Sequence, residues 1–418
     1  MRAIVLGSGI MGLTTSYMLS KIGYKVTVLE KNSASGLGCS YANGGQLSFS
    51  HAEPWFSRSS LFSILKNAIS PKSFVHVQNL ADKEFLKWLL QFISNCSNKK
   101  VSQATINLLN LGMYSKFILE NILKEEKIDF KYNKNGILHF YRSKKSFEKA
   151  KKQADFQAKL GCKFDILNSK QCLDKESTLI KLSDQDKLAG GILFKDDASG
   201  DSSLFINGLE KVCKEKYNVE FIYNCQVQNI LTNRKKITGV NSSKGVFQGD
   251  IYVNTLGSYG NLLLKGVGVN NNIYPVKGYS LSIPVNKSYL APKISITDSE
   301  NKIVYSRLGS IFRAAGTIEI CNLKSNNNIK NINFLKNIIK STYSDFGNMV
   351  EAKEWFGFRP YCSNGVPIVG KVKKYGNLYN NYGHGSLGWT NSFASAKIIS
   401  DKILYKSIDK RFSFLGDI

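Results

Sequence analysis

The sequence predicts an α/β protein with an α+β second domain: a helix-flanked parallel sheet interleaved with an antiparallel one. Three observations carry this. Residues 3–6, 12–22 and 25–30 read strand, helix, strand at once, a β-α-β unit. The stretch from 219 to 321 holds several short strands separated by turns. Residues 378–402 then return to strand, glycine turn and helix. The 418 residues suit two interleaved domains better than a string of separate ones.

Each element follows from its pattern. Ala3, Ile4, Val5 and Leu6 form a short apolar run bounded by glycine, as in a buried parallel strand. Leu13, Tyr17, Met18 and Ile22 have helical spacing, and KVTVLE at 25–30 is a second strand. The Gly-, Ser- and Asn-rich residues 36–50 predict a loop. Apolar bursts at 61–65 and 85–93 lie in helical patterns, and 103–126 reads as a long helix. Residues 136–141 predict a strand, 144–160 a Lys-rich helix, 190–194 a strand and 202–215 a helix. Strands are expected at 219–223, 227–231, 237–241, 250–255, 279–284, 303–306 and 316–321, and a polar turn at 326–328.

Composition excludes several classes. The apolar share is 43% and only 7 residues are proline, which rules out collagen-like and disordered chains. The 57 basic and 31 acidic residues leave +26, which invites a polyanion partner. Only 8 of the basic residues are Arg, whereas 49 are Lys, beside 38 Asn. Nucleic-acid readers lean on the Arg fork, so the excess reads as background and no nucleic-acid partner is expected. The eight Cys form no C-x-x-C pair and the four His do not cluster with them, so no metal site is expected. The thiols suit a reducing cytosol, the opening residues suit a strand rather than a signal peptide, and no apolar run is long enough to span a membrane.

Gly7-Ser8-Gly9-Ile10-Met11-Gly12 is G-x-G-x-x-G between the first strand and the first helix. The first glycine allows the turn, the second lets backbone approach a pyrophosphate, and the third lets helix pack on strand. The phosphates would sit on free N–H groups at the helix start. Glu30, eighteen residues past Gly12 and followed by Lys31, ends the second strand, where a carboxylate accepts from a ribose 2′-OH and repels a 2′-phosphate. This favours FAD or NAD over NADP and leaves those two open.

Three further blocks resemble the D-amino-acid oxidase superfamily of flavoproteins. The first is Ser40-Tyr41-Ala42-Asn43-Gly44-Gly45-Gln46-Leu47-Ser48, followed by Ala52-Glu53-Pro54-Trp55. The second is Leu256-Gly257-Ser258-Tyr259, then Tyr274-Pro275-Val276-Lys277-Gly278-Tyr279-Ser280-Leu281. The third is Gly357-Phe358-Arg359-Pro360, then Gly365-Val366-Pro367-Ile368-Val369-Gly370, then Gly383-His384-Gly385-Ser386-Leu387-Gly388-Trp389-Thr390. The likeness runs over nearly the whole chain. Phe49-Ser50-His51 and Cys362-Ser363-Asn364 depart from the usual pattern, which bears on substrate choice rather than class.

The resemblance implies a Rossmann-like FAD-binding domain interleaved with an antiparallel-sheet substrate domain. The expected division gives 1–82, 186–272 and 352–418 to the FAD domain, and 83–185 and 273–351 to the substrate domain. FAD is expected to bind noncovalently. The loop residues Ser40, Asn43, Gly44, Gly45, Gln46 and Leu47, with Val227 and Gly257, would contact it. So would the turn Gly383, Gly385, Ser386, Leu387, Gly388, Trp389 and Thr390, whose N–H groups can stabilise charge on a flavin ring.

The implied activity is oxidative deamination of a D-amino acid by hydride transfer from Cα to flavin N5. Electrons would pass to a respiratory acceptor such as a quinone. Arg359 is expected to hold the substrate carboxylate; its rival role is an interdomain salt bridge. His384 is expected near the ring, or else is structural. Tyr279 and Tyr305 offer hydroxyls from the substrate sheet, or else are core, and His51 is expected to line the pocket. An inert thiol is expected at Cys362. The resemblance implies a cytoplasmic enzyme, peripheral on the inner membrane; the apolar segment 85–93 and Lys-rich surface are compatible with an anionic bilayer, or 85–93 is a core helix. A D-hydroxyproline dehydrogenase, a glycine/sarcosine-type oxidase and a noncatalytic FAD-binding subunit remain open, as does oligomeric state.

Overall fold

The computed structural model describes residues 1–50, 75–78, 80–325 and 328–418. His51, the 52–55 block, the apolar burst at 61–65 and most of the 326–328 turn lie outside the described residues.

Arg2–Leu6 sits inside a six-stranded sheet. The order is Ile368–Lys371, Leu378–Tyr382, Ile251–Asn254, Arg2–Leu6, Lys25–Leu29, Glu220–Ile222. All neighbours pair in parallel except the outermost two, which are antiparallel. Arg2–Leu6 and Lys25–Leu29 bury every residue but the first, and Ile251–Asn254 buries all four, as a sheet covered on both faces requires. Helix Ile10–Lys21 packs between Gly388–Ile403 and Ser202–Tyr217 and is buried almost all round. Helix Asn98–Glu125 covers Gly388–Ile403 from outside.

A nine-stranded mixed sheet forms the second layer. Its path is Lys353–Cys362, Ile273–Pro284, Ile311–Ile320, Ile303–Leu308, Ser295–Asp298, Ile137–Tyr141, Gly190–Phe194, Phe164–Leu167, with Val75–Val77 paired to Ile311–Ile320. One face takes helix Ile329–Thr342, whose Ile332, Leu335 and Ile339 pack with Leu281, Ile283 and Phe312. The other face meets the loop that holds residues 42–46. The register shifts between Gly278 and Tyr279, so Thr317 is the extra residue of a bulge, with φ of 54°.

The sheet pairing crosses the expected segment boundaries. Gly190–Phe194 pairs with Ile137–Tyr141 and Phe164–Leu167, and so belongs to the nine-stranded sheet rather than with 186–272. Lys353–Cys362 likewise pairs with Ile273–Pro284, not with the C-terminal strands. An apolar run marks a strand but carries no label for its partner. Ser295–Asp298, Phe164–Leu167 and helix Ile329–Thr342 carry no expectation from the sequence pattern.

The apolar segment 85–93 lies in helix Lys83–Asn95. Phe85, Trp88 and Phe92 are buried against Tyr274, Val276 and Ile320, while Leu86, Leu90 and Ile93 are exposed. Among the described residues, no helix is long and apolar enough to cross a membrane, and no group of His, Cys, Asp and Glu could hold a metal ion.

Candidate active site

A cavity of about 1400 Å³ is lined by both sheets. It exceeds the roughly 300–1,000 Å³ of ordinary small-molecule sites. Glu30 and Val227 line it beside the first glycine turn, and Arg359, Phe358 and Tyr279 line it on the nine-stranded sheet.

The first glycine turn is built for close approach. Gly7 has φ of 96°, a left-handed value that favours glycine. A Cβ on Gly12 would lie 1.9 Å from the Gly7 carbonyl oxygen, so only glycine lets the helix pack on the turn. Gly9 is the helix N-cap and has no side chain to cap with. The positive helix end therefore opens on the cavity through Gly9, Ile10 and Met11. Ser40 Oγ accepts the Ile10 N–H at 3.1 Å, tying the 40–46 loop to this end.

Glu30 is buried at the end of its strand. It accepts from Ser8 N–H at 2.8 Å and Ser8 Oγ at 3.0 Å, and from Asn32 N–H at 2.9 Å and Asn32 Nδ2 at 2.7 Å. A ligand hydroxyl would reach it by displacing one of the two side-chain donors. Lys31 Nζ stands 4.0 Å over the Tyr259 ring on the same wall.

The second glycine turn closes the other side. Strand Leu378–Tyr382 runs into Gly383 (φ 90°) and Gly385 (φ 53°), then into helix Gly388–Ile403. An antiparallel bridge between Tyr361 and His384 joins this turn to the strand that carries Arg359. His384 Nε2 is 2.7 Å from Ser395 Oγ, and among the described residues Nδ1 has no partner. Burial pushes the imidazole down to about 3, so the ring is neutral. The Trp389 indole N–H is also buried with no partner among the described residues. Thr390 Oγ1 accepts the Ser48 N–H at 3.0 Å.

Arg359 is half-buried in the cavity wall, and among the described residues no hydrogen bond or ion pair engages its guanidinium. Arg142, by contrast, is 2.6 Å from Asp298. Arg359 and His384 thus line the same cavity, on segments joined by that bridge. The two tyrosine hydroxyls are turned elsewhere. Tyr279 points its hydroxyl to Glu319 on the face that packs helix Ile329–Thr342, and Tyr305 is fully buried against Phe312 and Tyr343, off the cavity wall. Alternation along a strand points both hydroxyls to the far face, although Tyr279 still touches the cavity wall. Ser8, Gly12 and Leu47 also stand behind the wall rather than in it. The remaining loop and turn residues, with Val227 and Gly257, do line it. Cys362 is buried with its thiol pushed up to about 12 by desolvation, which makes it a poor nucleophile.

Sequence reasoning missed three residues that shape the site. Ser280, Arg313 and Ser306 reach from adjacent strands to the carbonyls of Ala42, Asn43 and Gly44. Only Ser280 lies in a motif; the other two look like ordinary strand positions.

A glycine cradle that a Cβ would fill, a helix start whose own N-cap carries no side chain, a ribose-type carboxylate and a second turn with buried polar atoms lacking partners among the described residues fit a flavin dinucleotide. The fold and site thus define a dinucleotide-dependent oxidoreductase. The model of the family "FAD dependent oxidoreductase" matches residues 2–402. The chain belongs to that family, and FAD is its cofactor. It is similar to the D-amino acid dehydrogenase of Paramagnetospirillum magneticum, 36% identical over 96% of this chain and 95% of the relative. It is 32% identical to the D-amino acid dehydrogenase of Vibrio cholerae serotype O1, over 97% and 95% of the two chains. Among solved structures, glycine oxidase from Geobacillus kaustophilus superposes with a TM-score of 0.77 at 17% identity, covering 100% of this chain and 98% of that one, a likeness of fold.

Proposed function

We propose that this oxidoreductase deaminates D-amino acids to 2-oxo acids and ammonia. The observation that carries the reading is the Arg359 guanidinium, unpaired among the described residues, in the cavity wall beside the second glycine turn. A planar cation with open donors suits a carboxylate, which it can grip with two bonds. Relatives named D-amino acid dehydrogenase, matching nearly end to end, support the substrate class.

FAD, held noncovalently, supplies the acceptor for the Cα hydride. The chain's own residues supply position. Arg359 fixes the carboxylate, and neutral His384 adds no positive charge to repel the substrate's ammonium. Holding a reacting group in an attack geometry is worth several orders of magnitude in rate. Electrons then pass to a respiratory acceptor such as a quinone, from a cytoplasmic protein docked on an anionic membrane face. The FAD-bearing body draws on the start, middle and end of the chain.

Anaerobic bleaching of the bound flavin tests this against a panel of D- and L-amino acids, sarcosine and hydroxyproline. D-amino acids should bleach it. Bleaching by sarcosine or glycine alone, with stoichiometric peroxide in air, would replace the reading with an oxidase. A flavin that none of them bleaches would make the chain a noncatalytic subunit.

A further inference from the structure

Three consecutive carbonyls of the cofactor loop are each held by a side chain from the nine-stranded sheet. Ser280 Oγ donates to Ala42 O at 2.7 Å, Arg313 Nη1 to Asn43 O at 3.0 Å and Ser306 Oγ to Gly44 O at 2.8 Å. The peptides are trans, so each following N–H points the opposite way. The N–H groups of Asn43, Gly44 and Gly45 therefore turn from the sheet. Asn43 Oδ1 takes that of Gly45 at 2.8 Å. Those of Asn43 and Gly44 have no acceptor among the described residues and face away from the sheet, in residues that line the cavity.

Neutral hydroxyls make the outer two bonds. The middle one is made by an arginine that is 8% exposed. Among the described residues it has no ion pair, and its Nε has no partner. Asp201 acts on it from a distance, but Asp201 Oδ1 is committed to the N–H groups of Ser203 and Leu204 at a helix start. Buried charges are ordinarily paired, since desolvation costs several kcal/mol. A buried cation with no adjacent counter-ion makes sense where negative charge arrives with the ligand's chemistry.

We propose that Arg313 is a positioning residue for the flavin: it polarises the Asn43–Gly44 peptide so that its N–H stabilises the reduced, more negative ring. The inference rests on FAD binding in this cavity with its ring against the loop, whose Asn43 and Gly44 line it. It adds a role in setting the potential, separate from substrate binding.

The test is a potentiometric titration of the flavin in the purified holoenzyme, with no amino acid present. Arg313→Gln keeps a donor and removes the charge. It should weaken the preference for reduced flavin at least tenfold, a midpoint lower by about 30 mV for a two-electron couple. Arg313→Lys keeps the charge and should stay within threefold of wild type. Asp201→Asn still caps its helix and removes the opposing carboxylate, so it should move the midpoint upward. Equal losses in Gln and Lys variants would overturn the proposal, because geometry rather than charge would then be at work. Unchanged midpoints in Arg313→Gln and Asp201→Asn would overturn it too. Should the Gln variant lose its flavin, the sign of the Asp201→Asn shift decides. The D-amino acid reading fails independently, if wild-type flavin is not bleached by any of them.

Discussion

The Arg359 guanidinium lies directly over Gly278 on the neighbouring strand. A Cβ built on Gly278 would stand 2.5 Å from Arg359 Nη2 and 2.6 Å from Cζ. Gly278 pairs with Gly357 on one side and Ile318 on the other, so two facing glycines open a floor for the cation. The glycine of the Y-P-x-K-G-Y string thus acts on the site through space rather than through backbone freedom.

Gly278→Ala should displace the guanidinium rather than unfold the sheet, because the colliding atoms end a flexible side chain. Folding stability should change by less than about 1 kcal/mol. The KM for a D-amino acid should rise tenfold or more, with FAD content unchanged. Arg359→Lys should do the same, since an ammonium cannot reproduce the fork. Steady-state kinetics on flavin-replete protein decide; unaltered KM in both variants would sink the assignment of Arg359.

The cofactor end offers a sharper contrast. Gly12→Ala puts a methyl 1.9 Å from the Gly7 carbonyl, and both partners are backbone that cannot step aside. It should cost at least the roughly 1–3 kcal/mol of an overpacked core and abolish FAD retention. Glu30→Gln keeps the shape but loses the carboxylate that Ser8 and Asn32 share. That variant should fold, and release FAD on gel filtration more readily than wild type. Retention of a full flavin complement by Gly12→Ala would refute the cradle.

Two buried groups give stability opposite pH slopes. His384 is pushed down to about 3 by burial, against about 6.5 in an unfolded chain. Between those values the unfolded state binds the extra proton, so stability rises with pH and is fully present above about 6.5. Asp197 is raised to about 7 by burial, partly offset by its bonds from Ser50 N–H at 2.7 Å and Ser50 Oγ at 2.6 Å. The native state then holds a proton that the unfolded chain has released, and stability falls as pH rises from about 4 to 7. Urea unfolding between pH 4.5 and 7.5 should show Asp197→Asn losing the falling slope and His384→Gln losing the rising one. Identical profiles for the variants and wild type would mean neither group is held as described.

The cofactor side was legible because its chemistry is local. Seven residues from Gly7 to Leu13 specify turn, cradle and helix start at once, and Glu30 follows at a fixed interval. The substrate side was less so. Tyr279 and Tyr305 carry suitable hydroxyls, yet strand alternation and the Thr317 bulge decide which face they take, and neither shows in the sequence string. Arg313 looks like one basic residue among 57 until the fold sets it under Asn43. Gly190–Phe194 and Lys353–Cys362 likewise declare themselves as strands but not as members of a sheet.

Helix Lys83–Asn95 divides its apolar residues between two faces, and the faces should respond differently. Phe92 is 2% exposed, whereas Leu90 is 69%, Leu86 45% and Ile93 43%. Phe92→Ala should cost about 3–5 kcal/mol as a core truncation. The combined Leu86→Ser, Leu90→Ser, Ile93→Ser variant removes surface atoms only, so each change should stay within about 0.5 kcal/mol. The exposed stripe, flanked by exposed Lys83 and Lys87, has the make-up of a helix that lies in an anionic bilayer surface. If the proposed membrane docking uses it, the triple variant should lose most of its co-sedimentation with phosphatidylglycerol vesicles and keep full flavin reduction in solution. The lysine share of that attachment should weaken between about 0.05 and 0.5 M salt, where the Debye length shortens severalfold. Wild-type sedimentation by the triple variant would move the docking face elsewhere on the lysine-rich surface.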